Sequence, residues 1–224
     1  MKRTLLPLCL LPAALCSLVP FTAEGPDSAS LQHLTKRAEA GDKDAQFDLG
    51  VRHATGDGMP TDPHKAVGWY RRAAGKGHHK AQVNLGLAYA TGEGIDRDQG
   101  QALRWYRTTA EAGYPRAQFN LALCHALGTG VPEDDAEAVR WYRRAALQGL
   151  AEAQNNLGSC FANGTGILRD LVEGYAWYTV AATNGDRLAP SNKAQLSRSM
   201  TPDELTRARH RAVALRETIR DRRE

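Results

Sequence analysis

The side chains in this chain that could do chemistry recur at a fixed stride. Asp48, Asn84, Asn120 and Asn156 stand 36 residues apart. An amide both donates and accepts hydrogen bonds, a carboxylate accepts them, and neither is an activated nucleophile at such a place. Four residues on, one helical turn further along the same face, come Arg52, Ala88, Cys124 and Cys160. A second ladder, Arg71, Arg107 and Arg143, is flanked by Arg72, Arg104, Arg140 and Arg144. Arginines in register can grip an acidic surface or simply form a wetted outer face. The chemistry on offer is recognition by hydrogen bonds and charge.

Bond-making chemistry lacks its signatures. The sequence has no Ser-x-x-Lys, Lys-Thr-Gly, Gly-x-Ser-x-Gly or His-Glu-x-x-His. The recurring Gly-x-Gly, as in Thr91-Gly-Glu-Gly94, lacks the lysine of a phosphate-binding loop and reads as a hairpin turn. His78 and His79 fall at a turn between repeats. His53 and His125 share a column with Tyr89 and Phe161, so they read as packing residues and no metal or cofactor is expected. Of the four cysteines, Cys9 and Cys16 lie in the leader, and Cys124 and Cys160 occupy equivalent positions of adjacent repeats. Packed helix axes lie roughly 8–10 Å apart, whereas a disulfide needs Cα atoms within about 7 Å, so two free thiols are expected. The sequon Asn163-Gly-Thr165 coincides with a recurring turn and needs no other explanation.

The elements that position these columns are read from the same stride. Ala45, Ala81, Ala117 and Ala153, each followed by glutamine, open a run of helix formers that Gly56, Gly92, Gly128 and Gly164 close. Asp62, Asp98, Asp134 and Asp170 then stand where the N-cap of a second helix belongs. That helix carries Trp69-Tyr70 and its copies Trp105-Tyr106, Trp141-Tyr142 and Trp177-Tyr178, and ends at Gly77, Gly113, Gly149 and Gly185. The unit is a helix hairpin. One hairpin cannot bury an indole alone, so the units must stack on one another. The expected repeat core is Trp69, Trp105, Trp141 and Trp177 with Leu49, Leu85, Leu121 and Leu157.

The pattern Ala-Gln-x-Asn-Leu-Gly, Gly-x-Gly, Asp, then Ala-x-x-Trp-Tyr-x-x-Ala-Ala-x-x-Gly at a 36-residue spacing resembles the Sel1-like repeat family, a relative of the tetratricopeptide repeat. The resemblance spans about residues 31 to 188 and implies an all-α fold, a right-handed α-solenoid used as a protein-binding scaffold. It also implies that the first-helix asparagines line a concave wall and hydrogen-bond the backbone or terminal carboxylate of an extended peptide. Carried over by position, these are Asn84, Asn120 and Asn156, with Asp48 and Arg52 in the first unit; Asp48 departs from the pattern and would repel a carboxylate. The alternative is that these amides tie neighbouring helices together. Some secreted relatives are cysteine-rich, with a disulfide in each repeat, and are described as penicillin-binding proteins or weak β-lactamases. This chain lacks that cysteine pattern.

The expected organisation is a signal peptide over 1–23, a lead-in and N-terminal cap helix over 24–44, repeats at 45–80, 81–116, 117–152 and 153–188, and C-terminal cap helices over 189–224. Lys2 and Arg3 precede an apolar run broken by Pro7 and Pro12, too short to span a membrane and suited to export. Leu15 is unusual before a lipidated cysteine, so a periplasmic or secreted protein is expected over an anchored one. Thr201-Pro-Asp-Glu204 reads as a capping box before a last helix striped by Leu205, Ala208, Ala212, Leu215 and Ile219. The net charge of +4 falls to 4 − 2 = +2 once Lys2 and Arg3 leave, which is no nucleic-acid signature. The expected product is a monomeric exported adaptor for a protein or peptide ligand, the alternative being the β-lactam activity of the cysteine-rich relatives. On sequence alone, Trp105→Ala and Trp141→Ala should each lower stability by about 3–5 kcal/mol in a thermal melt.

Overall fold

The computed structural model describes residues 28–222. The expected signal peptide lies outside the described residues. Those that are described form eleven helices and no strand. Helix α1 (Ser28–Glu39) is followed by four hairpins: α2 (Lys43–Thr55) with α3 (Pro63–Gly75), α4 (His79–Thr91) with α5 (Gln99–Glu111), α6 (Pro115–Leu127) with α7 (Asp135–Leu147), and α8 (Ala151–Asn163) with α9 (Leu171–Thr183). Helices α10 (Ala189–Ser197) and α11 (Pro202–Asp221) close the chain. Each helix from α1 to α9 packs on the next in the chain, and α11 folds back on α9. The result is an α-solenoid.

Local chemistry sets the hairpin ends. The carboxylates of Asp62, Asp98, Asp134 and Asp170 each accept from the backbone N–H three residues on, at 2.9–3.0 Å. These caps start the second helices. The first helices begin two residues ahead of the alanine column and stop at a glycine in the left-handed region. At the C-terminal end, Thr201 and Glu204 form the expected capping box.

The second glycine of each Gly-x-Gly does more than turn the chain. Gly94 has φ +72°, and a Cβ there would lie 2.2 Å from the carbonyl oxygen of Pro63, at the start of the preceding unit's second helix. The same approach recurs between Gly166 and Asp135. The turn of one unit is therefore seated on the helix start of the unit before it.

Tyrosine, more than tryptophan, is the constant core residue. Tyr70, Tyr106, Tyr142 and Tyr178 are 3–6% exposed. Their rings lie against the first helix of their own hairpin, where Gly50, Gly86 and Gly158 leave room: a Cβ at Gly86 would meet Tyr106 at 2.6 Å. The third unit carries Ala122 at that place, in one buried cluster with Tyr142. The tryptophan column is graded. Trp177 and Trp141 are buried, the first in one cluster with Ala212, Leu215 and Ile219 of α11. Trp69 and Trp105 are half-buried at the edges of smaller clusters. Leu49, Leu85, Leu121 and Leu157 are no more than 2% exposed.

A polar ladder joins the units. Gln46, Gln82, Gln118 and Gln154 are buried, and each Nε2 donates at 2.9–3.2 Å to a carbonyl eight residues earlier: Ala38, Ala74, Ala110 and Ala146, at the end of the preceding second helix. The side-chain oxygens of the last three accept from the second helix of their own unit or its cap, from Thr109, Gln148 and Asn184. In the first unit Lys76 stands at the position of Gln148 and Asn184 and donates to the Gly41 carbonyl, which leaves the Gln46 Oε1 without a donor.

Stability should respond to each of these contacts. Trp141→Ala and Trp177→Ala should each cost about 3–5 kcal/mol and Trp105→Ala about half as much, which revises the equal losses expected for Trp105 and Trp141; denaturant midpoints measure the order. Gly94→Ala should cost at least ~3 kcal/mol, because strain at positive φ is joined by a backbone clash. Gly77→Ala, with φ +73° and nothing within 4 Å, should cost only ~1 kcal/mol. Thr109→Val strips the donor from the buried Gln82 oxygen and should cost about 1–3 kcal/mol in the same measurement.

Candidate functional site

The first helices stand side by side along one wall. Arg116 and Glu152, the second residues of α6 and α8, pair across that junction at 2.8 Å. The wall keeps a half-exposed stripe where helical spacing turns residues away from the core. It runs through Asn84 and Leu87 on α4, Asn120, Leu123 and the exposed Leu127 on α6, and Asn156 and Ser159 on α8. Amides and aliphatic groups alternate along it, the combination that suits a peptide backbone with apolar side chains.

The asparagines are not equivalent. Asn156 stands beside the phenol of Tyr142 on the preceding unit, where it offsets part of the rise that burial gives that group. Asn84 and Asn120 sit half-exposed at the same place in their units, and Asp48 is exposed. The column one turn on is closed in three of the four units. Ala88, Cys124 and Cys160 are 6–9% exposed, each in the same buried cluster as the tyrosine of the preceding second helix. Both cysteines are free thiols; burial raises the Cys124 thiol and pushes that of Cys160 up to about 12. They are protonated, inert core groups at neutral pH.

Only Arg52 of that column remains open. It lines a cleft of ≈ 280 Å³ between α1 and α2, with Leu34 and Val51 as apolar walls and Ser30, His33, Arg37, Asp48 and Asp57 around them. The cleft has a simple origin. One period before Tyr70 the chain carries Leu34, and where Ala88 or a cysteine would meet a tyrosine there is the longer Arg52. Burial raises the Asp48 carboxyl, against the pull of His78 and Arg52. Arg37 is engaged by Asp42 at 2.9 Å.

The remaining sequence candidates fall outside the wall. Arg72 and Arg144 lie over the rings of Trp69 and Trp141 at 4.6 and 4.4 Å, and Arg140 pairs with Glu137 at 2.8 Å. Arg71, Arg104 and Arg107 are exposed on the outer helices. His78 caps α4, its Nδ1 accepting from the Ala81 N–H, and stacks on Phe47 at 4.5 Å. Burial lowers its basicity and that of His53. Among the described residues no group of histidine, cysteine and carboxylates is placed to hold a metal, and no helix is long and apolar enough to cross a membrane. The glutamine ladder and the Leu34 cleft were not anticipated. Stepping the tyrosine column back by 36 residues onto Leu34 was the available signal for the second.

Solved structures share this architecture. A protective antigen present in uropathogenic Escherichia coli strains, which displays an SLR fold, superposes with a TM-score of 0.82 at 32% identity, over 88% of this chain and 43% of that one. A Sel1 repeat protein from Oxalobacter formigenes gives 0.69 at 36% identity, over 75% of this chain and 69% of that one. The chain thus spans less than half the length of the E. coli antigen. None of the curated proteins matches it. The Sel1 repeat family matches residues 43–78, 79–114, 115–150 and 151–186, blocks that coincide with the four hairpins. This chain belongs to the Sel1 repeat family.

Proposed function

We propose that the chain is an exported, non-catalytic scaffold that holds an extended segment of another protein along the wall of its first helices. The observation that carries this reading is the half-exposed pair Asn84 and Leu87 on α4, repeated as Asn120 and Leu123 on α6 and followed there by the exposed Leu127. An extended peptide offers a carbonyl and an N–H at each residue and throws alternate side chains to one face. Regularly spaced amides can meet the first, and the leucines between them the second. The rigid stack supports it too, since a preformed surface loses little freedom on binding.

The basic leader with its apolar run favours export, and the ligand would then be an envelope or secreted protein. N-terminal sequencing of the protein recovered from the envelope or medium should find the first 23 residues gone.

Asn84→Ala with Asn120→Ala removes two neutral hydrogen bonds at about 1 kcal/mol each, so the ligand's Kd should rise about thirtyfold while the melting temperature stays put. A photo-crosslinking residue at Leu127 should trap the partner, and the same residue at Arg71 on the outer helices should not. Equal trapping at both places, or unchanged affinity of the double variant, would remove the wall from consideration.

A further inference from the structure

The cleft between α1 and α2 holds a polar group in an unfavourable state. Nη1 of Arg52 is buried from solvent and has no acceptor. That nitrogen is out of a ligand's reach, and only the rest of the Arg52 guanidinium can meet an acceptor placed in the cleft, where a charged donor gains more from one than a neutral donor does. The space beside it is ≈ 280 Å³, enough for one amino-acid residue, with Leu34 and Val51 offering apolar contact.

The charges around it decide what kind of ligand brings the acceptor. Arg37 is neutralised by Asp42. Arg52 then faces Asp48 and Asp57, one positive charge against two negative ones. A free anion would satisfy Arg52 but meet two carboxylates of its own sign. A ligand with a positive donor next to a neutral acceptor satisfies both sides. An α-amino terminus has that form, with its ammonium adjacent to the first carbonyl, whereas a lysine side chain carries its ammonium with no acceptor nearby. We propose that this cleft captures the free amino terminus of a peptide, with the α-ammonium on Asp48 and Asp57, the first carbonyl accepting from Arg52, and the first side chain between Leu34 and Val51.

The inference extends the scaffold reading and rests on it for one feature, a bound segment that continues from Asp48 along the asparagine row.

The test is an NMR titration of the full chain that follows the backbone amides of Leu34, Val51 and Arg52. Trialanine amide with a free amino terminus should shift them, and its N-acetyl form, its anionic N-succinyl form and N-acetyl-lysine amide should not. Asp48→Asn should weaken the trialanine amide about tenfold, as expected for a lost charge-assisted bond. The pair Leu34→Tyr with Arg52→Ala recreates the Tyr70 and Ala88 arrangement, and should abolish binding without lowering the melting temperature. Asn84→Ala with Asn120→Ala should leave these shifts unaltered, so the cleft and the wall can fail separately. The proposal is overturned if the acetylated peptide or the lysine derivative shifts the amides equally, if the succinylated peptide binds more tightly, if Asp48→Asn binds as well as the parent, or if the free-amino peptide shifts nothing.

Discussion

Each of the tyrosine-bearing helices α3, α5 and α7 is shared by two first helices, and the rest of the structure depends on that sharing. Tyr106 closes on Gly86 within its own hairpin and clusters with Cys124 of the next unit. Neither contact alone would exclude water from the ring. A fully buried aromatic removes on the order of 150–250 Å² from solvent, and no single 36-residue hairpin has a second layer to provide that. The small residues at Gly50, Gly86 and Gly158 are there because the ring must come within van der Waals distance of the helix backbone.

Burying such contacts encloses backbone carbonyls at helix ends, and the glutamine column answers that requirement. Its amides serve the preceding helix with the nitrogen and the second helix of their own hairpin, or its cap, with the oxygen, so the hydrogen bonding is complete wherever the unit itself supplies that donor. The two ends of the array differ because their covering helices differ. At the C-terminal end α11 lays Ala212, Leu215 and Ile219 over Trp177, and the indole is nearly sealed. At the N-terminal end α1 supplies Ala38 for the ladder but Leu34 in place of a tyrosine, and the packing opens into a cleft.

Most of the fold was legible in the sequence because its constraints are local and repeated. A glycine that must accept positive φ, an aspartate that must cap, and an alanine that must let helices approach each leave a column at one stride. The capping box at Thr201 and the apolar stripe of the last helix could be read for the same reason. The core was legible less evenly. Trp105 and Trp141 are identical as letters, but the first is half-buried at the edge of a smaller cluster and the second is buried in the main one. The site was read from too little. Periodicity placed Arg52, Ala88, Cys124 and Cys160 on one face, but could not say that a neighbouring tyrosine closes that face in three units. Nor could it separate Asn156, beside the Tyr142 phenol, from Asn84 and Asn120.

The turn glycine seated on the preceding unit's helix start has an evolutionary consequence. Because Gly94 and Gly166 make the same junction with different neighbours, a 36-residue block duplicated in frame would find its seat already built, and the array could lengthen or shorten without new contacts being invented. Residues inside the array are bound to that common template. Leu34 lies before the first copied block, so it can change alone, and a novel specificity can arise at the terminus while the interior stays the same.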